Sequence, residues 1–364
     1  MLRAFGEKGG VGVYTRNVTR ELLELDDRNE YLLLYSDPEH LGTHGSRPRV
    51  TERALSAPHK LIWDQVAVPK ACREAGVDVL FHPKFSVPLF ASCRTSMVLH
   101  GAGWFIPEVK HFWSLPQRIY ARLTMPLYCR SADAVLAVSD ITTRVFTEKF
   151  GLPEGRVRTV YLAPARQFHR VEDPAAMQKV KEKYQLPDKY VLTLSGFDRG
   201  PRKNIDTILR AFQEIRRDVP HKLVVAGRDC HRFREIIDMG EDDFWDDVVF
   251  PGWVDQIDLP MFYTGADLFL YPSKMEAFPI PLTEAMACGV PILTSRVFGL
   301  AEVAGEAGIL VDPDSADEIA AQMLRVLTEP ELHAELVRQS EKRGREFSWH
   351  RCASETLAVL NGLA

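Results

Sequence analysis

Short apolar runs that alternate with helical stretches are the feature that most constrains this fold. The runs are rich in Val, Leu and Ile, which is typical of strands buried on both faces. The stretches between them place apolar residues at helical spacing, as at Val18, Leu22 and Leu25. Because strands that alternate with helices form parallel sheets, the sequence predicts a parallel α/β fold. The predicted strands cover residues 31–35, 77–81, 96–99, 134–138, 157–162, 190–194, 222–226, 248–250, 266–271, 290–293 and 308–311.

A break in this pattern divides the chain into two predicted domains. In residues 163–176 (APARQFHRVEDPAA), apolar residues follow neither the helical nor the strand pattern. A length of 364 residues suits about two domains of ordinary size. The net charge is +6 over residues 1–170 and −11 over residues 171–364, which fits two domains with different partners. We assign residues 1–168 to an N-terminal domain and residues 169–346 to a C-terminal domain.

Composition excludes several classes of protein. No apolar run approaches the ~18 residues of a membrane span, and the first residues lack the apolar core of a signal peptide. The six cysteines are scattered without metal-binding spacing, and Asp312 and Asp314 fit a strand end and helix cap better than a metal site. We therefore expect a cytoplasmic protein without a metal, and the net charge of −5 disfavours nucleic acid as a partner.

Glycines open the first predicted helix. Gly10 and Gly12 would let a phosphate or sugar approach backbone N–H groups closely. A dinucleotide-binding motif would have a third glycine where Thr15 stands, and it would follow a full strand, which three residues cannot supply. This disfavours a hydride-transferring dehydrogenase. Two interpretations remain: contact with a ligand, or a tight glycine turn.

A basic loop follows predicted strand 190–194 and leads into a helix. Its sequence, SGFDRGPRKN, contains Arg199, Arg202 and Lys203, and Asn204 is a suitable helix cap. Cations are usually unfavourable at a helix N-terminus, so their presence indicates an anionic ligand. The alternative is a solvated loop. Side-chain charge together with the helix dipole suits a diphosphate.

Two glutamates lie in the stretch SKMEAFPIPLTEAMACG. Pro281 suits a first helical position and Gly289 a helix end, so we expect Glu276 on a loop and Glu284 in a helix that ends near residue 287. Two carboxylates in a poorly solvated cleft repel a phosphate, so they must accept hydroxyl hydrogen bonds or bind a cation. Together with the basic loop, they predict a nucleotide sugar as the ligand. The alternative is an exposed glutamate and a capping glutamate.

Two further stretches are candidates in the N-terminal half. His100 ends predicted strand 96–99, which places an imidazole where open α/β sheets bind ligands, although a lone histidine is more often structural. Residues 110–130 mix arginines with aromatic residues and contain no acidic residue. That segment fits peripheral contact with an anionic membrane carrying a lipid-linked acceptor, and it also fits buried aromatics with exposed arginines.

Taken together, these stretches resemble the family-4 retaining glycosyltransferases, which have the GT-B fold. The resemblance covers nearly the whole chain in order: GGVG, LHG, VSD, PRKN, VVAG, FPGWV, the two-glutamate block with EAMACGVPILTS, and GILVDP. It implies two Rossmann-like domains that face a cleft. The N-terminal domain would bind the acceptor and the C-terminal domain the nucleotide sugar, and a helix at residues 347–364 would cross back to the N-terminal domain.

The resemblance also implies roles for individual residues. Glu276 would act at the donor sugar, and Glu284 would hold the nucleotide ribose. His100 matches the histidine near the reacting face of the donor sugar. Lys203 matches the lysine that binds the diphosphate, and Arg202 stands beside it. The remaining residues expected around the donor are Arg199, Phe278, Pro279, Ile280, Gly252, Trp253, Val254, Gly10 and Gly12.

This sequence departs from the family pattern at three points. Pro279 stands where a glycine is usual, which removes one N–H near the donor. Phe197 stands where an arginine is frequent, so we expect Arg199 to substitute for it. The first strand of the N-terminal domain is almost absent, so either the start lies upstream or that sheet lacks a central strand.

The resulting expectation is a metal-independent, cofactor-free hexosyltransferase that retains anomeric configuration. Its donor would be a GDP- or UDP-linked mannose or glucose, and its acceptor a hydroxyl of a glycan, a lipid-linked glycan or a small molecule. We expect it in the cytoplasm, and at the inner face of the cytoplasmic membrane if residues 110–130 bind lipid. The alternatives are a sugar-nucleotide epimerase or phosphorylase of the same fold, and a nucleotide-sugar-binding protein without activity.

Overall fold

A computed structural model describes residues 2–7, 9–153, 155–240 and 242–364, apart from the side chains of residues 198–200 and 242. The chain forms two compact units. The first unit contains residues 1–162 together with residues 348–364, and the second contains residues 163–347. Every strand pairing in the described residues is parallel, which confirms the predicted parallel α/β class.

The first unit contains two separate parallel sheets. Their strand orders are β1-β2 and β3-β4-β5-β6. A π-helical turn at Trp63–Ala67 joins its second and third helices. In chain order, the elements are α1 (Gly10–Leu25), β1 (Tyr31–Tyr35), β2 (Val50–Ala54), α2 (Lys60–Ile62), α3 (Val68–Glu74), β3 (Val79–His82), β4 (Arg94–Leu99), α4 (Leu115–Ser131), β5 (Ala134–Ala137), α5 (Asp140–Phe150) and β6 (Val157–Thr159).

The second unit contains one six-stranded parallel sheet. Its order is β12-β11-β10-β7-β8-β9. In chain order, the elements are α6 (Pro174–Tyr184), β7 (Tyr190–Leu194), α7 (Ile205–Ile215), β8 (Lys222–Ala226), α8 (Phe233–Ile236), β9 (Val248–Gly252), α9 (Leu259–Thr264), β10 (Leu268–Tyr271), α10 (Ile280–Ala287), β11 (Ile292–Ser295), α11 (Phe298–Ala304), β12 (Gly308–Val311), α12 (Ala316–Thr328) and α13 (Pro330–Gly344).

The strand order of the second unit reverses between β7 and β10. Strands β8 and β9 extend the sheet from β7 in one direction, and β11 and β12 extend it from β10 in the other. In open α/β sheets, ligands bind at this switch point, beyond the carboxyl ends of the two central strands. The loops that follow β7 and β10 are therefore expected to form the ligand-binding site of this unit.

Helix α7 shows how the second unit builds its core. Ile208, Leu209, Phe212 and Ile215 lie at helical spacing, and all four are buried against the sheet. Burying an aliphatic or aromatic side chain of this size stabilises a fold by about 1.5–3 kcal/mol. The helix is held over β7 and β8, and it starts directly after the loop that follows β7.

The last helix, α14 (Trp349–Asn361), belongs to the first unit and packs on α1. Ser348 begins it, because its hydroxyl accepts a hydrogen bond from the Arg351 N–H at 3.0 Å. The Trp349 ring lies 6.0 Å from the Tyr14 ring, measured between centroids. The chain therefore returns to the first unit after completing the second.

All eleven predicted strands are present, and one further strand of the described residues was missed. Four coincide with the observed bounds, at residues 31–35, 190–194, 222–226 and 308–311, and the others differ by one to three residues at their ends. The missed strand is β2, whose sequence is VTERA. It pairs with β1 along one edge, and its residues alternate in exposure. Such a strand needs few apolar residues, so it contains no apolar run that would predict it.

Candidate functional site

The candidate site of the second unit is built from the two loops at the switch point. Residues Phe197–Lys203 follow β7 as a 3-10 helix, and residues 272–279 connect β10 to α10. The Lys274 N–H donates to the carbonyl of Arg202 at 2.9 Å, which joins the loops through their backbones. The basic loop and the first glutamate, predicted from separate parts of the sequence, are thus neighbours.

Glu276 accepts two cationic partners from the basic loop. Lys203 Nζ lies 2.8 Å from Glu276 Oε1, and Arg202 Nη1 lies 3.3 Å from Glu276 Oε2. Burial opposes ionisation of the carboxyl group, but the charges of Lys203 and Arg202 outweigh it and lower the pKa of Glu276. Burial likewise opposes the charge of Lys203, and the Glu276 carboxylate more than restores it and raises the lysine pKa. The site therefore holds an ionised carboxylate beside two charged cations.

Tyr271 completes this cluster and was not predicted as a site residue. Its hydroxyl contacts Lys203 Nζ and lies 3.4 Å from Glu276 Oε1, and Lys203 Nζ lies 4.4 Å from the centre of its ring. Tyr271 is the last residue of β10, and it is buried. In the sequence it is the last residue of a predicted apolar strand. The signal that could have identified it is a hydroxyl at the carboxyl end of a strand at the switch point.

Asn204 lies at the N-cap position of α7, as predicted, but its side chain does not cap the helix. Its backbone is left-handed, with φ 61°, and its side chain makes no capping hydrogen bond. Instead, Asn204 Nδ2 donates to the carbonyls of Pro272 at 3.0 Å and of Pro313 at 2.5 Å. The side chain thus links the basic loop to the ends of β10 and β12. Asparagine tolerates the left-handed region better than other non-glycine residues, which explains its place next to Lys203.

Gly299 fixes the loop that carries Glu276. The Gly299 N–H donates to the Glu276 carbonyl at 3.1 Å. A Cβ atom on Gly299 would lie 2.0 Å from the carbonyl oxygen of Ala277, which is well inside van der Waals contact. Only glycine permits α11 to approach the loop so closely. This residue was also missed, because its role depends on packing between distant parts of the chain.

The segment after Glu276 contains three residues expected at the donor. Phe278 is buried, and its ring packs against Phe347 with centroids 5.8 Å apart, so the ring contributes to packing. Pro279 precedes α10, whose first residue is Ile280, and Pro281 is the second helical residue rather than the first. The helix ends at residue 287, and Gly289 has a φ of 72°, as predicted. Donor contacts of this segment stay a prediction.

Glu284 is buried within α10 and has one hydrogen-bond donor from a neighbouring helix. The Tyr263 hydroxyl donates to Glu284 Oε2 at 3.0 Å. Burial raises the pKa of Glu284 to about 7, and the Tyr263 hydrogen bond offsets part of that shift. Glu276 and Glu284 therefore differ in charge: Glu276 is ionised by its cations, whereas Glu284 shares its proton near neutral pH.

The raised pKa of Glu284 predicts an unusual stability effect. The folded protein holds the Glu284 proton more tightly than the unfolded chain does. The contribution of this carboxyl group to the free energy of unfolding is therefore fully present below pH 4.5 and is lost as the pH rises to about 7. That shift corresponds to about 3 kcal/mol. We expect Glu284→Gln to raise the thermal unfolding midpoint at pH 8 and to leave it nearly unchanged at pH 4.5. Exposed Glu306→Gln is the control, and an equal effect at both pH values would contradict the account.

The stretch expected around the base lies at the end of β9. Gly252 has a φ of 77°, and its carbonyl accepts from the Gly227 N–H at 2.9 Å, which holds the ends of β8 and β9 together. Trp253 is 54% exposed, and the Arg228 guanidinium lies 5.6 Å from the centre of its ring. Val254 is buried. An exposed aromatic face at this edge suits base stacking, and that role stays a prediction.

His100 lies in the first unit, directly after β4. Its Nε2 lies 2.9 Å from the Pro83 carbonyl oxygen, and because a carbonyl oxygen only accepts, Nε2 carries the proton. The ring meets Tyr14 and Phe85 edge to face at 4.9 and 5.7 Å. Burial lowers the pKa of His100 to about 4, so the imidazole is neutral at pH 7 and Nδ1 holds a lone pair. This geometry suits a hydrogen-bond acceptor for a hydroxyl.

The glycines of the first unit have a clear structural role. Gly10 is the first residue of α1. A Cβ atom on Gly12 would lie 1.8 Å from the Glu7 carbonyl oxygen, so the turn before α1 requires glycine there. The tight-turn interpretation therefore accounts for Gly12, and ligand contact by Gly10 and Gly12 stays a prediction.

Three remaining expectations concern Arg199, metals and membranes. The side chain of Arg199 lies outside the described residues. Within the described residues, no group of three or more His, Cys, Asp or Glu side chains is arranged to hold a metal ion. The same part of the chain contains no helix that is both long and apolar enough to cross a bilayer.

Two family models match this chain, one in each half. Residues 8–163 match the model described as Glycosyltransferase Family 4, and residues 176–343 match Glycosyl transferases group 1. The order and the extent of both matches agree with the motifs and with the two units. The chain belongs to the family-4 glycosyltransferases.

Relatives of this family-4 chain include mannosyltransferases. It is 32% identical to O-antigen chain mannosyltransferase B of Escherichia coli, over 62% of this chain and 60% of that protein. It is 31% identical to a GDP-mannose-dependent alpha-(1-6)-phosphatidylinositol monomannoside mannosyltransferase of Mycolicibacterium smegmatis, over 64% of this chain and 59% of that one. The chain thus matches about three fifths of the length of these relatives.

Solved glycosyltransferase structures share the fold. A glycosyltransferase of Rickettsia africae aligns with a TM-score of 0.77 and 15% identity, over 97% of this chain and 95% of its own. Anabaena HepE in complex with UDP-glucose aligns with a TM-score of 0.73 and 17% identity, over 98% and 97%. The fold of this family-4 protein is therefore GT-B, with two Rossmann-like units.

Proposed function

We propose that this protein transfers a hexose from a nucleotide-diphosphate sugar to an acceptor hydroxyl, with retention of configuration. The observation that carries the proposal is the partly buried cluster of Glu276, Lys203 and Arg202 at the switch point, with Glu284 on the following helix. The two cations suit a diphosphate, and the two carboxylates suit sugar and ribose hydroxyl groups. The acceptor is a glycan, a lipid-linked glycan or a small molecule.

Lys203 and Arg202 have the geometry to stabilise a leaving group. When the glycosidic bond of a nucleotide sugar breaks, negative charge grows on the bridging oxygen of the diphosphate, and its stabilisation is the main catalytic task. Lys203 is held between Glu276 and Tyr271, so it is oriented before any substrate arrives. Glu276 would then accept hydrogen bonds from the donor sugar while it positions the lysine. A covalent role for Glu276 is the alternative.

Mannose is the donor sugar that the relatives favour. Both relatives described above are named as mannosyltransferases, and one of these two is named as dependent on GDP-mannose. A solved structure of the same fold contains UDP-glucose. We therefore propose GDP-mannose first and a UDP-hexose second. No cofactor beyond the nucleotide sugar is needed, because Lys203 and Arg202 take the place of a metal.

A donor panel tests this proposal. The protein is mixed with GDP-mannose, GDP-glucose, UDP-glucose and UDP-galactose, and binding is read as a rise in the thermal unfolding midpoint. Release of free nucleotide is then measured with and without oligosaccharide acceptors, in the presence and absence of EDTA. We expect one donor to bind, acceptor-dependent nucleotide release, and equal rates with EDTA. Loss of activity in EDTA would contradict metal independence.

The same panel separates the alternatives. An epimerase would convert the donor without an acceptor, and a phosphorylase would need inorganic phosphate. A binding protein without activity would show the midpoint shift with neither transfer nor slow donor hydrolysis. Any one of these outcomes would contradict the transferase proposal and would support the corresponding alternative.

Nucleotide affinity should depend on the charge of Glu284. A ribose diol donates hydrogen bonds best to an ionised carboxylate, and the pKa of Glu284 is raised to about 7. Binding must therefore release a proton at low pH, and we expect the affinity for nucleoside diphosphate to fall by up to about tenfold between pH 8 and pH 6. In Glu284→Ala we expect weaker binding without this pH dependence. Calorimetry at both pH values measures it, and unchanged affinity in the variant would contradict the assignment.

We also propose that α4 places the first unit on an anionic membrane. Leu115, Ile119, Leu123 and Leu127 lie four residues apart on one side of the helix, and each is at least half exposed. Exposed Arg122 lies beside this apolar stripe. A helix with an apolar face flanked by cations suits the interface of an anionic bilayer. A lipid-linked acceptor would be reached from that position.

Charge introduced into the stripe tests membrane contact. The double variant Ile119→Glu and Leu123→Glu loses two aliphatic side chains that would be buried in the bilayer interface, and it turns two anions towards anionic lipid. Vesicle binding should therefore fall at least about tenfold. Co-sedimentation with phosphatidylglycerol vesicles measures it. Ile257→Glu is the control, because Ile257 is 76% exposed on the second unit. Equal vesicle binding by the double variant and the wild type would remove α4 from the proposal.

A further inference from the structure

Arg228 and Trp253 form a pair at the carboxyl ends of two neighbouring strands of the second unit. Trp253 directly follows β9, and Arg228 is the second residue after β8. The Gly227 N–H donates to the Gly252 carbonyl at 2.9 Å, which holds together the backbones that carry the pair. The Arg228 guanidinium lies 5.6 Å from the centre of the indole ring. Both side chains therefore lie where open α/β sheets bind ligands.

Both side chains of the pair are accessible to a ligand. Trp253 is 54% exposed and Arg228 is exposed as well. A centred stack would bring the guanidinium to about 3.5–4 Å from the ring, so at the observed distance the middle of the indole stays open. Within the described part of the chain, no carboxylate pairs with Arg228. The pair therefore offers an aromatic face and a set of N–H donors that the described residues do not use.

Backbone contacts connect this pair to the residues proposed to bind the rest of a nucleotide. The Phe197 N–H donates to the Arg228 carbonyl at 2.9 Å, and Phe197 begins the 3-10 helix that ends at Lys203. The segment after β9 leads into α9, whose Tyr263 hydroxyl donates to Glu284 at 3.0 Å. A nucleotide with its diphosphate at the basic loop and its ribose at Glu284 would extend its base towards this pair.

The chemistry of a guanidinium selects among bases. It carries donors and no acceptor, in a planar fork that matches two acceptors side by side. Guanine offers such a pair, O6 and N7, on one edge, whereas adenine offers N7 beside an amino donor. The O4 acceptor of uracil lies next to a ring N–H donor. Cytosine places the acceptors O2 and N3 together, but its single ring covers less of an indole than a purine does. Guanine therefore satisfies both members of the pair best.

We propose that Arg228 donates two hydrogen bonds to O6 and N7 of a guanine base that stacks on Trp253, so that the donor is a GDP-linked sugar. The inference rests on the proposed function and deepens it by naming the base of the donor. Arg228 contacts the nucleotide and touches neither the reacting carbon nor the bridging oxygen. Its contribution is the same in the ground state and in the transition state, so it acts on donor affinity and not on turnover.

Calorimetry with a set of nucleoside diphosphates tests this inference. The probes are GDP, IDP, which keeps O6 and N7 but lacks the 2-amino group, 7-deaza-GDP, which lacks N7, and UDP and CDP. We expect the wild type to bind GDP and IDP with similar affinity, and the other three at least about tenfold more weakly. In Arg228→Ala, we expect GDP affinity to fall at least about tenfold and the preference for GDP over 7-deaza-GDP to disappear.

Two further variants separate the contributions of charge and stacking. Arg232→Ala is the matched control for the lost charge, because Arg232 is a nearby exposed arginine whose guanidinium lies over the Phe197 ring. We expect it to keep the preference for GDP over 7-deaza-GDP. Trp253→Ala should weaken all five diphosphates alike, by at least about fivefold, because stacking does not depend on the base edge. Turnover at saturating donor should be unchanged in Arg228→Ala.

Several results would overturn this assignment. An undiminished preference for GDP over 7-deaza-GDP in Arg228→Ala would mean that another group binds the base edge. Binding of IDP at least tenfold weaker than that of GDP would place recognition at the 2-amino group. Tighter binding of UDP or CDP than of GDP by the wild type would name a different base. Failure of all five diphosphates to bind would contradict the proposed function itself, whereas equal and tight binding of all five would contradict this inference alone.

Discussion

Replacing Lys203 with alanine is expected to lower turnover at least about 100-fold. Its Nζ is the cation nearest to Glu276, and a preorganised donor to a developing oxyanion contributes about 3–4 kcal/mol to transition-state stabilisation. The loss should appear in kcat rather than in donor affinity alone, because charge on the leaving diphosphate grows as the bond breaks. Single-turnover nucleotide release from saturating donor measures it.

Lys274→Ala is the matched control for this prediction. Lys274 lies on the neighbouring loop, and its partner is the exposed Asp314 rather than Glu276. Lys203→Ala also leaves the Glu276 carboxylate with less compensating positive charge in a partly buried site, so the unfolding midpoint of the variant must be compared with that of the wild type. Near-normal turnover in a folded Lys203→Ala protein would remove the lysine from the mechanism.

Replacing Glu276 with glutamine is expected to separate binding from turnover. Glu276 holds both cations of the basic loop, so a diphosphate must share them with its carboxylate. Without that charge, the loop attracts an anion more strongly, and we expect nucleoside diphosphate to bind about tenfold more tightly. Turnover should fall at least about 100-fold, because the lysine loses its orienting partner and the donor sugar loses a hydrogen-bond acceptor.

Calorimetry with nucleoside diphosphate and initial rates with the full donor measure the two effects. Asp314→Asn is the control, since Asp314 is a nearby carboxylate that is largely exposed. Weaker nucleotide binding in Glu276→Gln would mean that the carboxylate contacts the nucleotide itself. Unchanged turnover would show that neither orientation nor sugar contact matters at this position.

The sequence predicted the elements of this fold better than the contacts between them. Apolar runs placed β1, β7, β8 and β12 at their observed bounds, because buried parallel strands need nearly continuous apolar sequence. Strand β2 was missed, because an edge strand with alternating polar residues carries no such run. The separation of the first unit into the sheets β1-β2 and β3-β4-β5-β6 depends on pairing between strands, which apolar runs do not encode.

Glu276, Lys203 and Arg202 of the candidate site were singled out in the sequence, whereas Tyr271, Gly299 and most contacts among these residues were not. Charge reasoning assigned the carboxylates to hydroxyl groups or a cation, and the structure gives Glu276 the cations of Lys203 and Arg202. The contributions of Tyr271 and Gly299 depend on distances across the sheet, which no local pattern encodes. The difference in charge between the two glutamates likewise arises from burial, as the raised pKa of Glu284 illustrates.

The configuration of the transfer product tests the central claim most directly. The protein is incubated with GDP-mannose, an α-linked donor, and an oligosaccharide acceptor, and the new linkage is assigned by proton NMR. We expect an α-linked mannoside, formed by the wild type and at least about 100-fold more slowly by Lys203→Ala. A β-linked product would contradict retention, and an α-linked product formed equally fast by both proteins would contradict the role assigned to the cluster at the switch point.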